Sequence, residues 1–160
     1  MDRLTDPRSP YGSLDALVDG TEPLAVHRPK LAVVVRDDLA TWQKLNVTAF
    51  LTSGYGALRR DLVGAPYADA DGRRYQPMLA QPVAILVADA PGLRRAFDRA
   101  LARDLAVAVY TDDLFTTGND EDNRAAVAAL PTRALTLAGF AACGDRRSVD
   151  KALDRLRLHP

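Results

Sequence analysis

The chain has 160 residues, and its 21 basic and 21 acidic side chains give a formal net charge of +0 at pH 7. This length fits one domain, and the charge balance excludes a strongly basic nucleic-acid-binding footprint over the whole chain. Hydrophobic residues make up 48% of the sequence and Cys143 is its one cysteine, which excludes a disordered chain and a disulfide scaffold.

The first 29 residues form an N-terminal extension that is rich in proline, glycine and aspartate. Leu14, Leu17 and Val18 are its one apolar stretch, which predicts one or two helical turns laid on the domain. A loosely ordered extension is an equally good interpretation.

The chain shows no secretory signal, and its apolar runs are far shorter than the ~20 residues of a membrane helix. We therefore predict a cytoplasmic protein that does not associate with a membrane.

Four runs that are apolar on both faces predict strands buried on both sides of a sheet. They are LAVVV at 31–35, VAILVA at 83–88, LAVAVY at 105–110 and LTLAGFAA at 135–142. Apolar stripes between and after them predict helices over 47–58, 93–105, 121–130 and 149–156. This alternation predicts a single α/β domain over 30–160, with three layers, α/β/α, and at least four strands.

The segment 64–81 interrupts this alternation. Its Asp71-Gly72 pair is typical of a tight turn and predicts a small hairpin or an ordered loop. Gly54 and Gly56 follow the apolar stripe of the first helix, and we interpret them as C-cap and turn residues.

Metal and cofactor motifs are not found in the sequence. His27 and His159 lie near opposite ends of the chain, and neither has zinc-ligand spacing to Cys143. Glycine-rich phosphate loops and the serine-hydrolase elbow are also absent. The sequence therefore predicts no metal and no cofactor, and Cys143 is interpreted as a buried, inert thiol.

Polar residues gather where the predicted strands end, which is where sites form in α/β sheets. A lysine beside carboxylates and hydroxyls can position a water molecule or stabilise an oxyanion. The structural alternative is that Asp38 caps a helix, Asp112 and Asp113 form a turn, and Lys44 is solvated. The residues concerned are Arg36, Asp37, Asp38, Thr41, Lys44, Asn46, Thr111, Asp112, Asp113, Thr116, Thr117 and Thr136.

Three segments in this order resemble the peptidyl-tRNA hydrolase II family. LAVVVRDDL resembles the family's first strand and turn, LAVAVYTDDLFTT a later strand, and LTLAGFAACGDRRSVDKALDRLRLHP the family's ending. The chain resembles still more closely an uncharacterised bacterial branch of that fold, a domain family of unknown function, through its R-x-D-L, L-N, D-A-D-G, Q-P and L-H-P motifs. This resemblance implies a peptidyl-tRNA hydrolase II-like fold with a mixed sheet.

The resemblance also implies a set of site residues. Asp112 takes the place of the family's catalytic aspartate, Thr116 that of the threonine four residues later, and Thr136 that of the threonine opening the last strand. The family's G-K-G-K segment corresponds to residues 41–46, where Lys44 lies one place from either of the family's lysines and both glycines are absent. Beside this catalytic set, placement at the strand ends together with the resemblance predicts four substrate-binding residues: Arg36, Asp38, Asn46 and Asp113.

Three functions follow as hypotheses. The first is a small-molecule-binding or otherwise diverged relative that lacks the RNA site, and the absent glycines and the neutral net charge favour it. The second is an ester hydrolase acting on peptidyl- or aminoacyl-tRNA, which the retained Asp112, Thr116 and Thr136 favour. Acidic residues near Asp120 oppose tRNA as a partner, because they repel its phosphates. The third is a homodimeric accessory protein, and a homodimer is the predicted assembly.

Overall fold

The computed structural model describes residues 29–160, in which strands and helices alternate around one small hairpin. In chain order the elements are β1 (Lys30–Arg36), α1 (Thr41–Leu58), β2 (Tyr67–Ala68), β3 (Arg74–Tyr75), β4 (Ala84–Ala88), α2 (Ala90–Leu101), β5 (Ala106–Thr111), α3 (Asp120–Ala128), β6 (Leu137–Gly144), α4 (Arg146–Ala152) and β7 (Arg157–Leu158). The helical turns predicted around Leu14, Leu17 and Val18 lie outside the described residues.

Five strands form the main sheet in the order β5-β6-β1-β4-β7. Strands β1 and β4 are parallel, whereas β6 runs antiparallel to its neighbours β1 and β5, and β7 runs antiparallel to β4. The predicted α/β class and a mixed sheet of at least four strands are therefore confirmed. All four predicted strands lie in this sheet, with bounds within about two residues of those expected.

Side chains of the central strand β1 alternate between two apolar layers, as two-sided burial requires. Val33 packs in the layer covered by α1, where Val47 is fully buried. Val34 packs in the opposite layer, beneath α2 and α4. In that second layer the rings of Phe97 and Phe140 meet edge to face with centroids 5.6 Å apart. Helices thus cover both faces of the sheet.

Helix α1 begins six residues earlier than predicted, and it contains two glycines that we expected beyond its end. It begins after Ala40, whose backbone N–H donates to the side-chain oxygen of Gln43 at 3.0 Å, so Asp38 is not its cap. The interpretation of Gly54 and Gly56 as C-cap and turn residues is wrong, because both lie inside the helix. The helix continues because Tyr55, between the two glycines, is buried in the α1 layer of the core.

The ends of α2 and α4 also differ from the predicted bounds, and each difference follows from a residue with a left-handed backbone. The chain leaves α2 after Leu101 through Asp104, whose φ of 52° is left-handed, so the buried Leu105 lies beyond the helix. Helix α4 ends at Ala152, and Arg155, with φ 67°, turns the chain into the unpredicted strand β7.

The predicted hairpin is present in the segment 64–81. Strands β2 and β3 pair antiparallel, with Tyr67 opposite Tyr75. Gly72, at φ 82°, supplies the left-handed residue that the turn between them needs.

Across residues 29–160, no helix is both long enough and apolar enough to cross a membrane.

Candidate functional site

Three residues that are far apart in the sequence lie together at one end of the strands of the mixed sheet. Arg36 ends β1, Asp112 follows β5, and Thr136 precedes β6, which runs the opposite way. The backbone N–H of Asp112 donates to the carbonyl oxygen of Thr136 at 2.9 Å. The antiparallel direction of β6 therefore places the beginning of this strand beside the ends of β1 and β5.

Arg36 is the centre of this strand-end cluster, which we define as Arg36, Asp38, Asp112 and Thr136. Its Nη1 donates to Asp112 Oδ2 at 2.9 Å and to the carbonyl oxygen of Leu137 at 2.9 Å, and its Nε donates to Asp38 Oδ1 at 2.6 Å. The hydrogen bond with Asp112 is the main reason why the pKa of Arg36 lies above its usual value. One oxygen of each carboxylate therefore holds the guanidinium.

Asp113 and Thr116 lie in the turn that follows β5. Asp112–Phe115 forms one 3-10 turn, and the Thr116 hydroxyl donates to the carbonyl oxygen of Asp113 at 2.8 Å. Asp113 is exposed. The Thr116 hydroxyl thus closes the turn, as Thr and Ser hydroxyls commonly do.

Asn46 and Lys44 lie on different flanks of α1. Asn46 Nδ2 donates to the Tyr110 hydroxyl at 3.2 Å, and the ring of Trp42, one turn earlier, contacts Phe115 at a centroid distance of 6.0 Å. Two residues along a helix are about 160° apart around its axis, so Lys44 points to the flank opposite Asn46. Within residues 29–160, no hydrogen bond or ion pair joins Lys44 to Asp112.

A groove of about 720 Å³ opens beside the outer edge of β5. Its floor is β5, one wall is α1 and the other is α3, and we call it the β5 groove. Phe50 and Leu58 of α1 lie in it with 55% and 85% of their surfaces exposed. The residues that line it are Phe50, Leu51, Ser53, Gly54, Tyr55, Leu58, Ala106, Val107, Ala108, Val109, Tyr110, Leu114, Asp120, Asn123, Arg124, Val127 and Ala128.

Tyr55 anchors the α1 wall of the β5 groove to the sheet. Its hydroxyl donates to the carbonyl oxygen of Ala106 at 2.8 Å and to that of Ala141 at 3.2 Å. Burial raises the pKa of Tyr55 to about 12, so the hydroxyl keeps its proton and both acceptors stay satisfied. The α1 wall is therefore held in place by groups that are not available to a ligand.

The α3 wall supplies the polar groups of the β5 groove. Arg124 forms an ion pair with Asp120 one turn earlier, and Asn123 accepts a hydrogen bond from the Thr117 hydroxyl. Val127, farther along α3, packs against the apolar layer beneath α2 and α4. The groove is thus apolar along its floor and on the α1 side, with a charged and amide rim on the other side.

Sequence reasoning missed the β5 groove. Phe50 and Leu58 belong to the apolar stripe that predicts the first helix, and the structure places both in α1 with their side chains exposed. A signal was present, because no charged residue lies between Lys44 and Arg59. An 18-residue helix that is apolar around most of its circumference has more apolar surface than one sheet face can cover.

Metal and thiol chemistry have little support in the described part of the chain. Within 29–160, no three His, Cys, Asp or Glu side chains lie close enough together to hold a metal ion. Cys143 is buried, its Sγ lies 3.7 Å from Arg59 Nη1, and burial raises the pKa of the thiol. The absence of a cofactor stays a prediction.

Comparison with known proteins identifies a family and similar solved structures. The model of a family described as a protein of unknown function, DUF2000, matches residues 29–160. The fold is similar to the solved structure of Atu0240, a protein of unknown function from Agrobacterium tumefaciens strain C58. The two are 39% identical, with a TM-score of 0.80 over 84% of this chain and 100% of the other. No curated protein matches the sequence.

Proposed function

The chain belongs to the DUF2000 family of proteins of unknown function, and we propose that it binds a small, largely apolar molecule in the β5 groove without catalysing a reaction. The observation that carries this proposal is the groove itself, whose 720 Å³ falls within the usual range of ligand sites. Its walls expose Phe50 and Leu58, which a folded chain gains nothing by leaving in water.

The lining of the groove defines the chemistry of the ligand. Phe50, which is 55% exposed, stands edge to face with the buried Tyr110 at a centroid distance of 5.9 Å, and its ring offers an aromatic surface to a flat or branched apolar group. Arg124 and Asn123 lie on the opposite wall, where a polar or anionic end of the ligand would meet them. We therefore propose a ligand with an apolar body and one polar end.

The strand-end cluster supports a structural role better than hydrolysis. Asp112 and Asp38 both hold Arg36, which in turn binds the carbonyl of Leu137 and so ties β1 to β6. A hydrolase of the peptidyl-tRNA type would need Lys44 beside Asp112, whereas helix geometry directs Lys44 to the other flank of α1. The exposed carboxylates of Asp120 and Glu121 beside this edge also repel RNA.

A titration with the fluorescent dye anilinonaphthalene sulfonate, which has an apolar body and an anionic end, tests the binding proposal. We expect saturable binding to the full chain, weakened about tenfold by Phe50→Ala, since burying one phenyl ring stabilises a complex by ~1.5–3 kcal/mol. The matched control is Trp42→Ala, which removes an aromatic side chain of the same helix that does not line the groove. Equal loss in both variants, or no saturation, contradicts the proposal.

Ester hydrolysis is the second candidate, because Asp112 and Thr136 lie together at one sheet edge. Its test is release of free tRNA from peptidyl-tRNA at low salt, beside a reaction without protein. We expect no difference between the two reactions. Turnover that falls about 100-fold in Asp112→Asn and Lys44→Ala, while dye binding is unchanged, would instead establish the hydrolase.

A homodimeric accessory protein is the third candidate. The observation in its favour is that Trp42 and Leu45 on the outward side of α1 are 62% and 67% exposed. Sedimentation equilibrium measures the assembly directly. A dimer that Trp42→Ser and Leu45→Ser together dissociate would support this function, whereas a monomer would reject it.

We also propose that the fold is of the peptidyl-tRNA hydrolase II type. Support comes from the mixed sheet, with an antiparallel β6 between β5 and β1, and from the three segments that resemble that family in order. Superposition on a crystal structure of a peptidyl-tRNA hydrolase II is the test. A different strand order over the four central strands would reject it.

A further inference from the structure

Strand β5 has an outer edge that faces the β5 groove. It is the end strand of the sheet and pairs with β6 on one side. The backbone N–H of Asp112 donates to the carbonyl oxygen of Thr136, which directly precedes β6. The Tyr55 hydroxyl donates to the carbonyl oxygens of both Ala106 and Ala141, which therefore lie together between β5 and β6. Even-numbered residues of β5 thus direct their backbone groups toward β6.

The residues between them direct their backbone groups the other way, since the direction alternates along an antiparallel strand. The N–H and C=O groups of Val107 and Val109 therefore face the groove, and within residues 29–160 they have no hydrogen-bond partner. Both residues are half-buried between α1 and α3, where unpaired backbone groups are costly. Proteins usually protect such an edge with prolines or charged residues, whereas residues 106–110 read AVAVY.

The spacing of these unpaired groups identifies a polypeptide as the complementary partner. Two residues along a strand are ~7 Å apart, so Val107 and Val109 present their N–H and C=O groups at the repeat of an extended chain. A strand added at this edge satisfies both residues with its own backbone, as in other cases of strand addition. A molecule without amide groups leaves them unpaired.

The two walls define the side chains of such a segment. On the α1 side, Phe50 and Leu58 flank Gly54, where an added Cβ would meet nothing within 4 Å, so this wall has room for branched apolar groups. On the α3 side the lining includes Asn123 and Arg124. Because side chains of a strand alternate between its two faces, the complementary segment alternates apolar with polar residues.

We infer that the β5 groove binds a short extended peptide of another protein, which pairs as an additional strand with the outer edge of β5 and alternates apolar with polar side chains. The groove floor, residues 106–110, is ~17 Å long, which fits a segment of about five or six residues. The inference rests on the proposed function, because it names the chemical class of the ligand in the same groove.

The walls also distinguish a peptide from a second copy of this domain. A second copy would have to bring its own β5 to this edge, and that strand lies between the same two helices. The helices of the two copies would meet before the strands could pair. A single extended segment carries no such walls and enters the groove.

The first experiment titrates the full chain with a blocked hexapeptide that alternates valine with threonine. We expect saturable binding that displaces the dye and slows amide hydrogen exchange at Val107 and Val109 by at least about tenfold. Phe50→Ala is expected to weaken peptide binding about tenfold. The matched control is Trp42→Ala, which changes the same helix outside the groove and is expected to leave peptide binding unchanged.

A second experiment tests the backbone pairing itself with N-methylated peptides. In the bound peptide either the valine amides or the threonine amides face β5, depending on the direction of the added strand. We expect N-methylation of one set to weaken binding at least about tenfold, because it removes several hydrogen bonds. N-methylation of the other set is expected to change binding less than about threefold, so each peptide is the control for the other.

On the protein side, Val109→Pro removes one N–H that faces the groove. An edge strand accepts proline where its N–H points away from the sheet, and circular dichroism checks that the variant folds. We expect peptide binding about tenfold weaker than in the control Val109→Ala, with dye binding equal in the two variants. If the proline variant does not fold, the pair of methylated peptides decides the same question.

The outcomes separate this inference from the proposed function. Equal binding of both methylated peptides shows that side chains alone are recognised and overturns the inference. Dye binding that depends on Phe50, with no binding of the peptide, also overturns it and leaves the proposed function standing. Peptide binding with the expected methylation pattern, without saturable dye binding, supports the inference and rejects a small apolar molecule as the ligand. Exchange at Val107 and Val109 that slows only when the chain dimerises makes a second copy the occupant and overturns the inference.

Discussion

Helices α1 and α2 cover opposite faces of one sheet, yet their outward surfaces differ in chemistry. Helix α2 turns Arg95 and Asp98 to water and buries Leu93, Ala96 and Phe97. Helix α1 also buries one side against the sheet, but its other side presents the exposed residues Trp42, Leu45 and Phe50, and its last residue, Leu58, is exposed as well.

This contrast indicates that α2 serves only the fold. The buried side of α2 is matched by a charged outer side, the usual pattern of a helix that covers a core. The apolar outer side of α1 adds nothing to the stability of the isolated chain and costs solubility. Selection for stability alone does not produce such a surface, so α1 is the helix whose outer side we associate with binding.

The largest expected effect concerns the core beneath α2. Phe97→Ala removes a ring that is 2% exposed and packs against Phe140, and we expect it to lower the free energy of unfolding by ~3–5 kcal/mol. Urea unfolding followed by circular dichroism measures this loss. A decrease of the free energy of unfolding by less than about 1 kcal/mol would contradict the assignment of α2 as the helix that covers the core.

The next effect concerns how closely α1 approaches the sheet. A Cβ on Gly139 would lie 2.8 Å from the carbonyl oxygen of Val34 and 2.8 Å from Val47 Cγ1. Gly139→Ala therefore forces α1 away from the sheet, and we expect a loss of ~1–3 kcal/mol. The control is Gly54→Ala, where nothing lies within 4 Å and alanine stabilises a helix by ~0.5–1 kcal/mol. Similar losses in both variants would contradict this account.

Tyr55→Phe tests the anchor between α1 and the sheet, and its effect depends on pH. We expect a loss of ~0.5–1.5 kcal/mol near neutral pH, because two carbonyl oxygens lose a donor. Burial raises the folded-state pKa from 10.0 to about 12, so the folded chain holds this proton more tightly than the unfolded chain does. The advantage of the wild type is thus complete below pH ~10 and disappears as the pH rises toward ~12.

Urea unfolding of both proteins at pH 8 and at about pH 11.5 checks this expectation. The difference in the free energy of unfolding between the two proteins at each pH removes the contributions that they share, so it reports Tyr55 together with Cys143, whose charge also raises the pKa of Tyr55. A difference that is the same at both pH values would show that ionisation of Tyr55 is not coupled to unfolding.

The smallest expected effect concerns the outer side of α1. Phe50→Ala removes a side chain that is 55% exposed, and we expect the free energy of unfolding to change by less than about 0.5 kcal/mol. The same variant is expected to weaken dye binding about tenfold. A loss of stability comparable to that of Phe97→Ala would mean that Phe50 belongs to the core and that α1 resembles α2 after all.

The sequence predicts the layers of this fold better than it predicts their edges. Strands that are buried on both faces must consist of apolar residues, and the runs around Val33 and Phe140 show this directly in the sequence. Their strands therefore lie where the sequence predicts them. Strand β7 was missed because two exposed residues, Arg157 and Leu158, carry no such pattern. Their pairing depends on the turn at Arg155, which local sequence does not specify.

The candidate site was harder to predict because it depends on long-range geometry. Arg36 and Asp112 were predicted as site residues because each follows or ends a strand. The ion pair between their side chains was not predictable, because it depends on how β1 and β5 lie in the sheet. The flank on which Lys44 lies depends on the rotation of α1 about its axis. The β5 groove can be predicted only if β5 is known to be an end strand of the sheet. The periodicity of a single strand does not specify its position in the order of strands.

The pairing of β1 also sets the order of events during synthesis. Val33 pairs with Ile85 and with Ala141, about 50 and 110 residues farther along the chain. At ~5–20 residues per second, a ribosome needs about 5 to 20 s after making Val33 before its second partner exists. The apolar run of β1 at 31–35 lacks this partner for that time, and we expect such long-range pairing to make the domain fold more slowly than a helical bundle of the same length.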